Sequence, residues 1–136
     1  MSPEMFGRID DAKYQIGAAK MRNFIPKPQG PCENRAGFAF VREVKDSTKA
    51  TRLIPFTYST TQTTVIEVGA GYFRFHTQGA TLMNGAVPYE IANPYAEADL
   101  FDIHYVQSAD VLTLVHPNHA PRELRRMGAT NWQLST

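Results

Sequence analysis

"HYVQSADVLTLVHPNHAPRELRR", residues 104–126, decides how the chain is read. It carries His104, His116 and His119, the last two bracketing Pro117-Asn118. These imidazoles either converge on an ion or a reactant, or they ride on two strands and a turn. Val111, Leu112, Leu114 and Val115 form a short apolar run rich in strand-favouring residues. Pro117 and Asn118 end that run with turn chemistry, and "QSAD" (107–110) opens it with a polar turn. An i, i+3 histidine pair suits a metal only on a helix or a tight turn. Here a strand precedes the pair and a proline interrupts it, and no glutamate follows His116 as in the zincin pattern. The expectation is structural: His116 ends a strand and bonds its own loop, and His119 is exposed in the turn.

Working outward, strands are expected at 38–44 ("FAFVREV"), 52–59, 64–68 and 72–76, then 100–106, 111–116, 122–126 and 132–136. Gly69-Ala70-Gly71 is a glycine-bounded hairpin loop between two of them. Residues 77–94 read as a weaker region. "NPYAEAD" (93–99) reads as one helical turn with Asn93 as cap and Pro94 at its first position. At the other end, Ile9, Ala12, Ile16 and Ala19 recur at spacings of three and four, which predicts a helix over 8–22 with Asp10 as cap. Gly17 inside it costs about 1 kcal/mol relative to alanine. "NFIPKPQGPCENRAG" (23–37) is expected to be an extended loop, because its prolines cannot donate to a ladder. Phe24 and Ile25 would anchor that loop to a core.

The fold class expected is therefore mainly β, in antiparallel meanders resembling propeller blades or a small sandwich, with one N-terminal helix. The length of 136 residues favours one domain. Residues 1–37 would supply the helix and a proline- and glycine-rich arm, and 38–136 the meanders. "FTYSTTQTTVIEV" (56–68) aligns without gaps on "IHYVQSADVLTLV" (103–115), a weak internal repeat of a strand, a polar turn and a strand.

Composition narrows the function. A net charge of +1 argues against a strongly basic nucleic-acid binder. Cys32 stands alone, which excludes a disulfide framework or a cysteine zinc site and fits synthesis in a reducing compartment. No apolar run approaches the roughly 20 residues of a membrane span. The acidic start "MSPEMFGRIDDAKY" does not read as a signal peptide. Cys32 beside Glu33 is a poor nucleophile, since a neighbouring carboxylate raises a thiol pKa. Ser108, Asp110 and His116 imitate a triad, but turn capping explains the first two. Asp10-Asp11 and the group Glu97, Asp99, Asp102 have ordinary places at helix starts and turns. Arg122, Arg125 and Arg126 split between the two faces of a strand around Leu124, as in a solvated edge. No catalytic, cofactor-binding or metal residue is expected.

Several stretches together resemble one family. "SPEMFGRIDDAKYQIGAAKMRNFIPKPQG" (2–30), "NRAGFAFV" (34–41) and "RLIPFTYS" (52–59) are followed by a block from Tyr95 to Trp132. This order is similar to the start of tailed-bacteriophage structural proteins of the tail tubular or nozzle kind, found in short-tailed phages. The matching positions are Tyr14, Gly17, Asn23, Phe24, Pro28 and Gly30, then Gln107, Ser108, Asp110, His116, Pro117, Pro121, Leu124, Arg126, Gly128 and Trp132. The chain departs from the pattern at Ala36, where the family has proline, and at Pro31, where it has a second glycine. Family members are several times longer, so an N-terminal fragment, a prophage remnant and a short paralogue all remain open.

The resemblance implies a non-enzymatic virion protein without cofactors, made in the bacterial cytoplasm. It implies contacts with other tail proteins, self-association into a ring, a propeller-like body and no membrane partner. Two other functions are carried beside it. One is a metal-dependent hydrolase using His104, His116 and His119. The other is a module making weak, salt-sensitive contacts with DNA.

Overall fold

The computed structural model describes residues 9–10, 17–18, 20–27 and 31–136. The chain divides into two units, Met1–Phe38 and Ala39–Thr136. In the first, β1 (Phe24–Pro26) pairs antiparallel with β2 (Cys32–Asn34). Backbone bonds from Lys27 N–H to Pro31 O (2.8 Å) and from Arg35 N–H to Asn23 O (2.7 Å) close this small hairpin at its two ends. Residues 23–37 are thus not only loop: Pro26 sits at the end of its strand, where no further donor is needed. Asn23 adopts a left-handed conformation (φ 62°), which asparagine tolerates. Phe24 and Ile25 do not anchor to a core; about half of each remains exposed.

The helix expected over 8–22 falls largely outside the described residues, as do Tyr14, Pro28 and Gly30. Those described within that span form a turn at Ile9-Asp10, a bend at Gly17 and irregular backbone beyond it, all exposed.

The second unit is antiparallel throughout. β3 (Arg52–Thr57), β4 (Thr63–Gly69) and β5 (Tyr72–Thr77) form a meander. It is extended by β6 (Ala80–Thr81) and by β9 (Glu90–Ala92), which pairs with β5. Between these two, β7 (Met83–Asn84) and β8 (Val87–Pro88) make a separate short ladder. A 3-10 turn, Glu97–Asp99, then leads to the second sheet. That sheet is a four-stranded meander of β10 (His104–Ser108), β11 (Val111–His116), β12 (His119–Gly128) and β13 (Asn131–Ser135).

Alternation along the strands builds one core between the sheets. Ile54 and Phe56 of β3, Ile66 and Val68 of β4, and Phe73 and Phe75 of β5 meet Leu112, Leu114, Leu124 and Trp132 of the second sheet. The Trp132 ring stacks on Phe75 at 4.4 Å and meets Phe56 edge-on at 4.9 Å. Polar side chains close the seam between edge strands β3 and β10. Arg52 donates to the carbonyls of Leu100, Phe101 and Ile103. Gln107 pairs with both backbone groups of Thr57, accepting at 3.1 Å and donating at 2.7 Å. The Tyr72 ring lies against the α-carbon of Gly69, where a Cβ would stand 2.1 Å from a ring atom.

Three expectations change. "FAFVREV" (38–44) is no strand; it has no ladder, and Phe38 and Phe40 are 88% and 86% exposed. Its alternation satisfies the local pattern, but a strand needs a partner edge. The helical turn begins at Glu97, capped by Ala96 rather than Asn93. Asn93 instead takes the Tyr95 N–H on its side chain and donates to Gly69 O and Tyr72 O, clamping the β4–β5 turn. The internal repeat holds only as two hairpins. The alignment places Thr57 on His104 and Thr63 on Asp110. Thr57 pairs with Thr63, whereas His104 pairs with Val115 across a much shorter turn.

Trp132→Ala is expected to destabilise the chain by about 3–5 kcal/mol, as for other large aromatic truncations in a core. Val106→Ala, at an exposed position, should stay within about 0.5 kcal/mol. Denaturant midpoints measured for the two variants check this contrast.

Candidate functional site

The turn between β11 and β12 brings the histidine pair together. His116 and His119 are direct cross-strand partners around Pro117-Asn118. The ladder then shifts register: between the pairs Leu114↔Arg122 and His116↔His119, Ala120 and Pro121 oppose Val115 alone. Such a bulge suits Pro121, which has no N–H to give the ladder, and it re-aims the side chains beside it. His116 is buried on the same side as Leu114, and His119 is partly exposed.

Asp99 meets both rings from the end of the 3-10 turn. Its Oδ2 lies 2.9 Å from His119 Nε2 and its Oδ1 3.7 Å from His116 Nε2. The Ala96 N–H also donates to Oδ2, at 2.9 Å, which fixes the carboxylate. The Asn118 N–H donates to His116 Nδ1 at 3.1 Å. A backbone amide can only donate, so that nitrogen bears the lone pair and the neutral ring keeps its proton on Nε2, facing Asp99. Tyr95 packs edge-on against His119 at 5.0 Å, with its hydroxyl buried and unpartnered. The hydrogen bond from His119 holds the Asp99 carboxyl below the usual range, helped by the Ala96 N–H. Burial raises the Tyr95 hydroxyl, against the nearby charge of Arg122.

This geometry corrects the histidine set carried from the sequence. His104 does not join it. It is exposed and lies opposite Val115, whose side chain points away from the buried row of Leu114 and His116. Asp99 takes the third place. His116 does bond its own loop, as expected, but His119 is engaged with a carboxylate rather than free in the turn. The donor atoms of Asp99, His116 and His119 lie within 4.8 Å of one another. The sequence places Asp99 only among the acids around a short turn, because its distance in sequence from the histidines hides a contact made through the fold.

Of the other positions singled out in the sequence, four that the structure describes serve the scaffold. Gln107 stitches the seam, and its amide also donates to Ala109 O in its own turn. Asp110 takes Arg126, through its backbone carbonyl (2.9 Å) and its carboxylate (3.5 Å). Leu124 and Trp132 are core. Ser108 and His116 stand at opposite ends of the β10–β11 hairpin, so the imitation triad does not assemble. Among the basic residues, Arg126 lies 3.8 Å over the Tyr58 ring, and Arg125 pairs with Glu123.

A second polar cluster lies on the other face of the larger sheet and carried no motif. Glu67, 2% exposed, accepts from the Tyr72 hydroxyl (2.6 Å) and contacts His76 Nε2 (3.0 Å). His76 Nδ1 in turn meets the Thr81 hydroxyl at 3.0 Å. Glu67 is the cross-strand partner of Arg74, and Glu90 holds both Arg74 and Lys45 at 2.6 Å. A groove of about 280 Å³ beside this cluster is lined by Val41, Val44, Leu53 and Val65 as well as Glu67 and His76. The sequence signal available was a lone glutamate inside the apolar run "VIEV". Burial, and then the bond to Glu67, push the Tyr72 hydroxyl up to about 12.

A comparison with protein-family models finds no match, and no curated protein matches the chain at a significant level.

Two pH responses follow from these clusters. Asp99 has a folded pKa below its unfolded value, so its contribution is complete above the unfolded value and is lost as pH falls through the folded one. Asp99→Asn should therefore flatten the acid limb of the stability curve, read as melting temperature against pH. Tyr72 behaves oppositely: its contribution is complete below about 10, the ordinary tyrosine value, and is lost as pH rises towards about 12. Tyr72→Phe should remove that alkaline loss, measured by denaturant unfolding across the same range.

Proposed function

We propose that this chain is a non-enzymatic bacteriophage virion protein, similar to the tail tubular or nozzle proteins, that works through contacts with other tail proteins and with copies of itself. The observation that carries the reading is the set of large apolar side chains left in solvent by a second unit whose core is otherwise complete. Phe40, Val106, Phe101, Leu53 and Val87 are each more than 60% exposed, and Phe38 in the first unit is 88% exposed. Exposed apolar side chains mark a contact surface where they lie together as one patch. The ordered motif series from Pro3 to Trp132 points to the tail as the setting. The two sheets around one core are then read as a small sandwich, presented to its neighbours in a ring.

Contact with the genome is a lesser part of this reading. Arg125 and Arg126 are paired within the sheet, so phosphate contacts would be weak and salt-sensitive.

Light scattering on the purified chain over a wide concentration range tests the proposal. Self-association is expected, and Phe38→Ser with Phe40→Ser should weaken it without loss of strand content. A chain that stays monomeric at high concentration, and is not retained by immobilised phage tail proteins, would sink it.

A further inference from the structure

We propose that Asp99, His116 and His119 bind one divalent transition-metal ion, with zinc the best match, as a clasp between the 3-10 turn and the β11–β12 hairpin. This rests on no part of the virion reading and would hold for a protein of any function.

The donor set is two imidazoles and a carboxylate, which suits zinc, nickel or copper rather than magnesium or calcium. Zinc bonds to such ligands run roughly 2.0–2.2 Å, which places tetrahedral donors somewhat over 3 Å apart. His119 Nε2 lies 2.9 Å from Asp99 Oδ2 and His116 Nε2 3.7 Å from Asp99 Oδ1, and the three donors all lie within 4.8 Å of one another. Each donor is already held: Asp99 by the Ala96 N–H, His119 by its edge-on contact with Tyr95, and His116 by burial beside Leu114. Asp99 and His119 keep about a fifth of their side-chain surface exposed, so an ion could enter from solvent and keep water as a fourth ligand.

The proton balance is simple. Ligation through Nε2 moves the single proton of each neutral ring to Nδ1, and the carboxylate stays ionised. Nothing is oxidised or reduced. At His116 this gives up the bond from the Asn118 N–H, since Nδ1 then carries a proton of its own. Binding is accordingly weaker than at sites whose outer partners accept that proton.

The test is equilibrium dialysis of the untagged full chain against zinc chloride, with melting temperature followed in parallel. One ion per chain is expected, with a rise in melting temperature that grows with zinc concentration, because the ion binds the folded form. Asp99→Asn and His119→Ala should each weaken uptake by at least about tenfold, while His104→Ala leaves it unchanged. A measurement free of substitutions accompanies them: in the unaltered chain, zinc should shield His119 from carbethoxylation and leave His104 reactive. The proposal is overturned by absence of saturable zinc uptake in the folded chain. It is equally overturned if uptake survives both substitutions, or if zinc leaves the reactivity of His119 unchanged.

Discussion

The wedge of Trp132 between Phe56 and Phe75 is the contact on which the second unit depends. It comes from the last strand, and it lands on the first and third strands of the other sheet. Each meander has one apolar face that must be covered. The indole and its aromatic neighbours supply a large share of the area buried between the sheets, and their edge-on and stacked geometry adds to that burial. Leu112, Leu114 and Leu124 continue the same contact towards Ile54, Ile66 and Phe73. Without this interface the turns and seams described above would have nothing to hold together.

Polar groups then set which edges meet. Arg52 gathers three carbonyls from the segment that links the sheets, and Gln107 satisfies both backbone groups of Thr57 as a neighbouring strand would. Asn93 ties the link to the β4–β5 turn. These side chains supply the bonds that edge strands lack, at places where a continuous ladder cannot pass from one sheet to the other. The histidine cluster belongs to the same class of device. It joins the linking turn to the far hairpin through a carboxylate, and its capacity to hold an ion follows from that role.

The proposed virion role and the proposed metal clasp are therefore compatible. A protein that acts through contacts needs a rigid body under its exposed side chains, and a clasp between the linking turn and a hairpin adds rigidity. Phe38 and Phe40 show why the segment 38–44 was expected to be a strand: its alternating aromatic and branched residues form a pattern that finds no ladder among the described residues. Extended segments with this alternation are the kind that another sheet edge can take up as an added strand.

The sequence by itself determined the β class, the positions of most strands of the second unit, the glycine hairpin at 69–71 and the turn at Pro117-Asn118. Those features are local: period-two alternation and turn residues act within a few positions of one another. Tertiary structure alone decided that Asp99 rather than His104 completes the histidine cluster, that Glu67 is buried against Tyr72 and His76, and that 38–44 joins no ladder among the described residues. Strand alternation sends His104 and His116 to different sides of one sheet, and a 3-10 turn carries Asp99 across a gap of 17 residues from His116 to His119's side. Contacts between residues far apart in sequence are set by how two sheets bury their apolar faces, and no pattern within either strand records that choice.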